Sequence, residues 1–361
     1  MNKLKKVLIV FFIVIASISL VSCNKSIPEE TKKKQEEKAE DYKKAENLVK
    51  TYLELTMQGR VDEAEKLVKK QEGQKFIKTN ENLKLIGYKI TNVNRVGDDI
   101  SILATFTLGE KGKPYYSIDT IEYTVGMKEE DLKINKIESK DSIICFKGMV
   151  KGEEVFLINA GKATNEDPIL KVAEVPSYIN IKNNSLKEEK VFVNTKNFGA
   201  MAIAKDGSQL VLSTEQNGDT LLFTAEMILT TFKDETYTAQ ESPAAGNIEK
   251  SVEGTATEIE GVDYFKNTLI EFIAYSPSGD ITYVQTNSNG KVGFSIYSSN
   301  SKNVLSPKIM KKFNSSEYNV INAYFNNDNA LILQVENIKE NKVENYVLDI
   351  LRDKFVKQEE K

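Results

Sequence analysis

The spacing of apolar residues divides the chain into a short helical region and a long series of strands. From Asp41 onward, apolar residues recur at steps of three and four, which predicts an amphipathic helix. We expect this helix to end near Gly59. A second, shorter helix is predicted to begin at Val61 and to end at Gly73.

Beyond these helices the period changes to two, which predicts four strands near residues 86–90, 100–108, 116–125 and 132–137. The apolar face changes sides within the third strand, so we expect a β-bulge near Asp119 and Thr120. The pattern therefore predicts an α+β domain over residues 41–142, with two helices on a curved antiparallel sheet.

This domain pattern resembles the NTF2-like (cystatin-like) family. The stretch Ala45–Leu67 is similar to the family's opening pair of helices, and Leu132 stands where the family usually has a tryptophan. The resemblance implies a cone-shaped fold that encloses a pocket between helix and sheet. Enzymes of the family have Asp, His or Tyr side chains inside this pocket. The chain has no histidine, and Asp119 falls at the expected bulge. We therefore expect a filled core or a binding cavity here.

From about residue 143 the pattern is β throughout, and it contains a repeat. The segment Ala202–Thr214 is followed by Asn217-Gly218, and the segment Ala274–Thr286 is followed in the same register by Asn289-Gly290. Each copy predicts a tight glycine turn, a strand of about seven residues and an Asn-Gly hairpin. A weaker third copy begins at Ala323.

The turn Ser276–Gly279 resembles the Ser-Pro-Asp-Gly turn of TolB-like and WD40-like propeller blades. The resemblance implies an all-β, propeller-like domain over residues 143–361. At about 45 residues per blade this segment would hold only four or five blades, so a β-sandwich stays open as the alternative.

The amino-acid composition limits which side chains could catalyse a reaction or bind a metal or a partner. The absence of histidine removes the commonest general base and metal ligand. Cys145 lies in an apolar run, and we expect it to be buried rather than reactive. The chain carries a formal net charge of -4. Such an acidic balance argues against nucleic acid as a partner.

The N-terminus carries a targeting pattern. Lys3, Lys5 and Lys6 precede an apolar stretch from Val7 to Leu20, and Ser22-Cys23 follows. The pattern resembles the signal peptide of bacterial lipoproteins of Gram-positive, clostridial type. The resemblance implies that residues 1–22 are removed between Ser22 and Cys23, and that Cys23 receives a diacylglyceryl group and fatty acyl chains such as palmitate. An uncleaved signal anchor is the alternative.

Cleavage would remove these three lysines and change the net charge from -4 to -7. The polar residues 23–40 are then predicted to be a tether, either flexible or a helical stalk.

No signature of catalysis is present in the sequence. It contains neither a phosphate-binding glycine loop nor a Cys-x-x-Cys pair. The segments 206–208 and 326–329 offer oxygen atoms that could bind calcium, but their composition favours turns. We therefore assign no catalytic residue, no metal ligand and no cofactor.

Three functions follow as hypotheses. The first is a non-catalytic binding or assembly module, anchored through Cys23 to the outer face of the cell membrane, with an envelope protein or a cell-wall component as partner. The second is an envelope hydrolase that uses carboxylates or a Ser/Lys pair. The third is an accessory lipoprotein of a membrane transport, sensing or sporulation complex.

Overall fold

The computed structural model describes residues 29–69, 79, 82–128, 132–160, 163–164, 168–176, 178–182, 188–192, 197–204, 206–233 and 250–358. The predicted signal peptide, with Ser22 and Cys23, lies outside these residues. Strands make up 62% of the structure and helices 13%, so the protein is mostly β. No helix among the described residues is both long and apolar enough to cross a lipid bilayer.

The described helices are α1 (Glu29–Met57), α2 (Val61–Glu65) and α3 (Pro307–Lys312). Helix α1 stops just before Gly59, whose φ of 75° leaves the helical region, and this confirms the predicted end. Helix α2 begins at the predicted residue but already ends at Glu65, where Lys66 and Leu67 form a turn, so the predicted extension to Gly73 is wrong.

Residues 29–40 of the predicted tether belong to helix α1. This part of the tether is therefore helical, as in the second of the two predicted forms, the helical stalk. Ion pairs one turn apart, Lys44 with Glu40 at 2.8 Å and Lys50 with Glu46 at 2.7 Å, favour the helical conformation on the polar side of this helix. The chain divides between Ala45 and Glu46 into two compact units, and all the described strands belong to the second.

The strands fall into two groups along the chain. The first ten are β1 (Leu83–Val96), β2 (Asp99–Glu110), β3 (Tyr115–Gly126), β4 (Lys133–Val150), β5 (Glu153–Ala160), β6 (Ala163–Thr164), β7 (Leu170–Lys171), β8 (Tyr178–Lys182), β9 (Glu188–Phe192) and β10 (Asn197–Ile203). The others are β11 (Gln209–Gln216), β12 (Asp219–Lys233), β13 (Lys250–Phe265), β14 (Leu269–Tyr275), β15 (Ile281–Ser288), β16 (Lys291–Ser298), β17 (Tyr318–Phe325), β18 (Ala330–Asn337), β19 (Lys342–Asp349) and β20 (Lys354–Lys357).

One large sheet organises the second unit. Its strand order is β20-β19-β18-β17-β1-β2-β3-β4-β5-β6, with β7 beside β5. Smaller antiparallel sheets are formed by β10–β13, by β14–β16 and by β8–β9. The parallel contact between β1 and β17, at Gly87 and Phe325, joins strands that are far apart in the sequence.

This topology contradicts the predicted fold class. The strands β1–β4 do not form a separate sheet under two helices, because β17 continues that sheet on one side and β5 continues it on the other. The α+β domain followed by a propeller-like or sandwich domain is therefore wrong. Periodicity shows that a segment is a strand, but it carries no information on which distant strand becomes its neighbour. The boundary at residue 142 stays a prediction, although β4 passes through it without a break.

The predicted repeat is present in the structure. In each copy a turn with a left-handed glycine, Gly207 (φ 72°) or Gly279 (φ 87°), leads into a middle strand, β11 or β15, that pairs with the strand before it and the strand after it. Each middle strand then reverses at a two-residue Asn-Gly loop, and all four loop residues have positive φ. Positive φ at both positions defines the type I′ hairpin that Asn-Gly favours.

A register irregularity is present next to Thr120 as predicted, but the bulge lies in β4 and not in β3, so the strand assigned to it was wrong. Thr120 pairs with Asp141 but Ile121 pairs with Ser139, so β4 carries one extra residue here. Cys145 is buried as expected, and burial raises the pKa of its thiol well above the ordinary value.

Candidate functional site

The sequence assigned Ser22 and Cys23 as the processing and lipid-attachment residues, and both lie outside the described residues. The oxygen-rich segments at 206–208 and 326–329 are turns. Asp206 Oδ1 accepts hydrogen bonds from the backbone and hydroxyl of Ser208, and Asn327 Oδ1 accepts from two backbone amides. Within the described part of the chain, no group of three or more acidic or cysteine side chains could hold a metal ion.

A cleft forms where the end of helix α1 meets strand β17. The Asn322 amide donates to the carbonyl oxygen of Met57 at 2.8 Å, and the Gln58 amide donates to the Tyr324 hydroxyl at 3.2 Å. The first contact satisfies a backbone carbonyl that the last turn of a helix leaves without an intrahelical partner, and the second joins two side chains. They fix the helix end beside the strand, and the space between them stays open.

The cleft has a volume of about 420 Å³ and a mixed lining. Its polar side chains are hydroxyls, amides and one ammonium, from Thr56, Gln58, Thr79, Asn322, Gln334 and Lys84. Its apolar side chains are Met57, Val61, Leu85 and Ile321. No carboxylate is present among these described lining residues.

Lys84 supplies the positive charge of this cleft. Its ammonium donates to the carbonyl oxygen of Ile321 at 3.3 Å and lies 5.5 Å from the ring centre of Phe272. Burial lowers the pKa of Lys84, repulsion from Lys111 lowers it further, and attraction to Glu271 opposes both. The charge is therefore only partly compensated.

Glu271 is the carboxylate that attracts Lys84, and its oxygens already have hydrogen-bond partners. Oε1 accepts from the Asn287 amide at 2.7 Å and pairs with the ammonium of Lys111 at 3.1 Å. Oε2 accepts from the Gln285 amide at 3.1 Å. This network holds the loop between β2 and β3 against the three-stranded sheet.

A second pocket, of about 230 Å³, lies beside Lys302. Glu226, Glu258 and Glu260 line it, and Lys302 forms an ion pair with Glu260. Burial lowers the pKa of Lys302, against attraction from Glu226 and Glu258. Ser299 lines the pocket too, but its hydroxyl pairs with Thr282 at 2.9 Å rather than with Lys302. The described contacts thus form no Ser/Lys pair.

Sequence reasoning missed the cleft because its lining comes from distant parts of the chain. The bond between Gln58 and Tyr324 spans 266 positions. The lining residues lie in helices, strands, turns and loops that are far apart in the sequence, and each fits its own segment. The parallel contact between β1 and β17 brings the lining residues together, and no local sequence pattern predicts that contact.

Comparison with known proteins places the chain in no family. No family model matches it, and no curated protein matches it. Among solved structures, it is similar to oligopeptidase B from Leishmania major, with 10% sequence identity and a TM-score of 0.29. The match covers 80% of this chain and 35% of that protein, so the chain spans about a third of the length of the structure it matches.

Proposed function

We propose that this protein is a non-catalytic binding protein, held by a lipid on Cys23 at the outer face of the cell membrane, and that its ligand occupies the cleft beside helix α1. At the N-terminus, basic residues are followed by an apolar stretch and then by Ser22-Cys23. This order supports export of the protein and its anchoring by a lipid. We favour a component of the cell envelope as the ligand, because a protein anchored at the outer face of the membrane can reach it.

The cleft carries the binding part of this proposal. Its volume of about 420 Å³ falls within the range of small-molecule sites, about 300–1,000 Å³. Apolar side chains give contact area, while the amides and hydroxyls of Gln58, Thr79, Asn322 and Gln334 can fix the orientation of a polar ligand.

Binding is favoured over acid–base chemistry because of the lining's composition. General acid–base catalysis needs a group that exchanges a proton near the working pH. The described lining offers hydroxyls, amides and an ammonium, and none of these is paired with a base. The hydrolase and the accessory-lipoprotein hypotheses stay predictions.

Filling the cleft tests the binding proposal. Gln334→Phe should weaken binding of soluble peptidoglycan fragments at least tenfold, because a large ring on β18 would occupy the space that the ligand needs. The measurement is isothermal titration of the purified protein, made without its signal peptide, with a defined disaccharide-peptide fragment.

The matched control is Asn345→Phe. Asn345 is the cross-strand partner of Gln334 and is likewise half-buried, but it lies outside the cleft lining. Binding should be unchanged in this variant. Equal binding by both variants, or no binding by the unmodified protein, would contradict the proposal for this class of ligand.

Anchoring has its own test. Cys23→Ala should abolish incorporation of an alkyne-labelled palmitate and leave the uncleaved precursor, because the thiol is the acceptor of the diacylglyceryl group. Cys145→Ala is the control. Because this thiol is buried, its removal should leave the incorporation of palmitate unchanged. Labelling of the Cys23→Ala protein would overturn the anchoring proposal.

A further inference from the structure

The charge of the cleft is unbalanced. Among the described lining residues Lys84 brings one positive charge and no side chain brings a negative one. Lys84 forms no ion pair with any described carboxylate, and its contact with the Ile321 carbonyl oxygen, at 3.3 Å, is long for a hydrogen bond from an ammonium.

The surroundings of Lys84 compensate its charge only in part. The oxygens of Glu271 already accept from Asn287, Gln285 and Lys111. Lys111, which pairs with Glu271, also repels Lys84 and contributes to its lowered pKa. A half-buried ammonium in this position is stabilised by any anion that enters the cleft.

We propose that the ligand of this cleft carries a carboxylate, which Lys84 binds directly. This inference rests on the proposed function, because it names the chemistry of the same ligand. The ammonium has three hydrogens and the carbonyl oxygen of Ile321 accepts only one of them. Two donors therefore remain for a carboxylate.

The rest of the lining defines what accompanies the carboxylate. Thr79 and Gln334 can donate and accept hydrogen bonds, and Ile321 and Val61 offer apolar contact. This set fits a ligand with amide groups and short aliphatic parts next to its acid. A short peptide with a free C-terminus and an N-acylated sugar acid both have that chemistry.

The test compares one fragment in two charge states. The disaccharide-peptide fragment used above is titrated as the free acid and after methyl esterification of its carboxyl groups. Esterification should weaken binding to the unmodified protein about tenfold or more, as expected for a charge-assisted hydrogen bond. A synthetic alanine tripeptide and N-acetylmuramic acid, each as acid and ester, distinguish the two sources of the carboxylate.

Substitution of the lysine completes the test. Lys84→Met should weaken binding of the acid to the level of the ester and leave binding of the ester unchanged, whereas Lys84→Arg should retain the preference for the acid. Lys89→Met, on the same strand but outside the lining, is the control, and thermal unfolding verifies that each variant is folded.

The outcomes separate the inference from the proposed function. If acid and ester bind equally well and Lys84→Met changes neither, the cleft binds a ligand but the carboxylate inference is wrong. If neither form binds while Gln334→Phe is also without effect, the proposed function fails for this ligand class. A preference for the acid that persists in Lys84→Met would assign the carboxylate to another residue.

Discussion

Replacing Glu271 by alanine should lower the free energy of unfolding by about 3 kcal/mol, because several donors that depend on one buried carboxylate lose their partner. The side chain is 7% exposed and accepts from Asn287, Gln285 and Lys111. Gln285 is itself buried and accepts from the Tyr283 hydroxyl at 3.1 Å, so the loss extends through a chain of hydrogen bonds. Urea denaturation followed by circular dichroism measures the change.

Lys111→Met is the control for this substitution. The lysine side chain is 41% exposed, so its removal leaves Glu271 with two amide donors and access to water. We expect a loss of about 1 kcal/mol or less, as for other ion pairs near the surface. A loss from Lys111→Met as large as that from Glu271→Ala would show that the ion pair, rather than the amide network, stabilises this contact.

The pH dependence of stability provides a second measurement on Glu271. Burial raises the pKa of this carboxyl, but the hydrogen bonds from Asn287, Gln285 and Lys111 outweigh burial and lower it overall. A lowered folded-state pKa stabilises the protein above the unfolded value of about 4.3, and this contribution is lost as the pH falls through the folded value. Glu271→Gln should therefore flatten the loss of stability in acid, and an unchanged acid limb would contradict the assignment.

Local features of this fold could be predicted from the sequence because their causes are local. The end of helix α1 follows from Gly59, whose positive φ no helix interior accepts. The reversals at Asn217-Gly218 and Asn289-Gly290 follow from the left-handed preference of both residue types. The change of apolar face between Ile118 and Ile121 located the register shift next to Thr120, although the extra residue belongs to the neighbouring strand β4.

The order of strands in the large sheet could not be predicted in the same way. Strands β1–β4 alternate as an independent four-stranded sheet would, so the sequence suggested a closed domain at the N-terminus. The structure adds β17 beside β1 and β5 beside β4, and these neighbours leave no trace in the period of the strands they join. The cleft depends on the contact between β1 and β17. The sequence alone therefore does not show that Lys84 and Asn322 line the same cleft.

Phe313→Ala should cost about 4 kcal/mol of unfolding free energy, as for other large-to-small changes of buried rings, because this residue packs against the C-terminal hairpin formed by β19 and β20. Phe313 follows helix α3 and is 2% exposed. Its ring contacts those of Tyr318, Tyr346 and Phe355 with centroid separations of 5.3, 4.8 and 5.3 Å. Removing it leaves a cavity and ends three edge-to-face contacts, each worth about 0.5–1.5 kcal/mol beyond the buried area.

Phe355→Ala, in the same cluster, is the matched control. Phe355 lies on the edge strand β20 and is 38% exposed, so water replaces part of what its ring loses. Its substitution should cost about 1 kcal/mol, since exposed truncations leave no closed cavity. Both variants should keep the denaturant slope of the unmodified protein, because the surface exposed on unfolding is almost the same. Equal losses from the two substitutions would mean that Phe313 is not the centre of the cluster, and that the strands β17–β19 hold the hairpin without it.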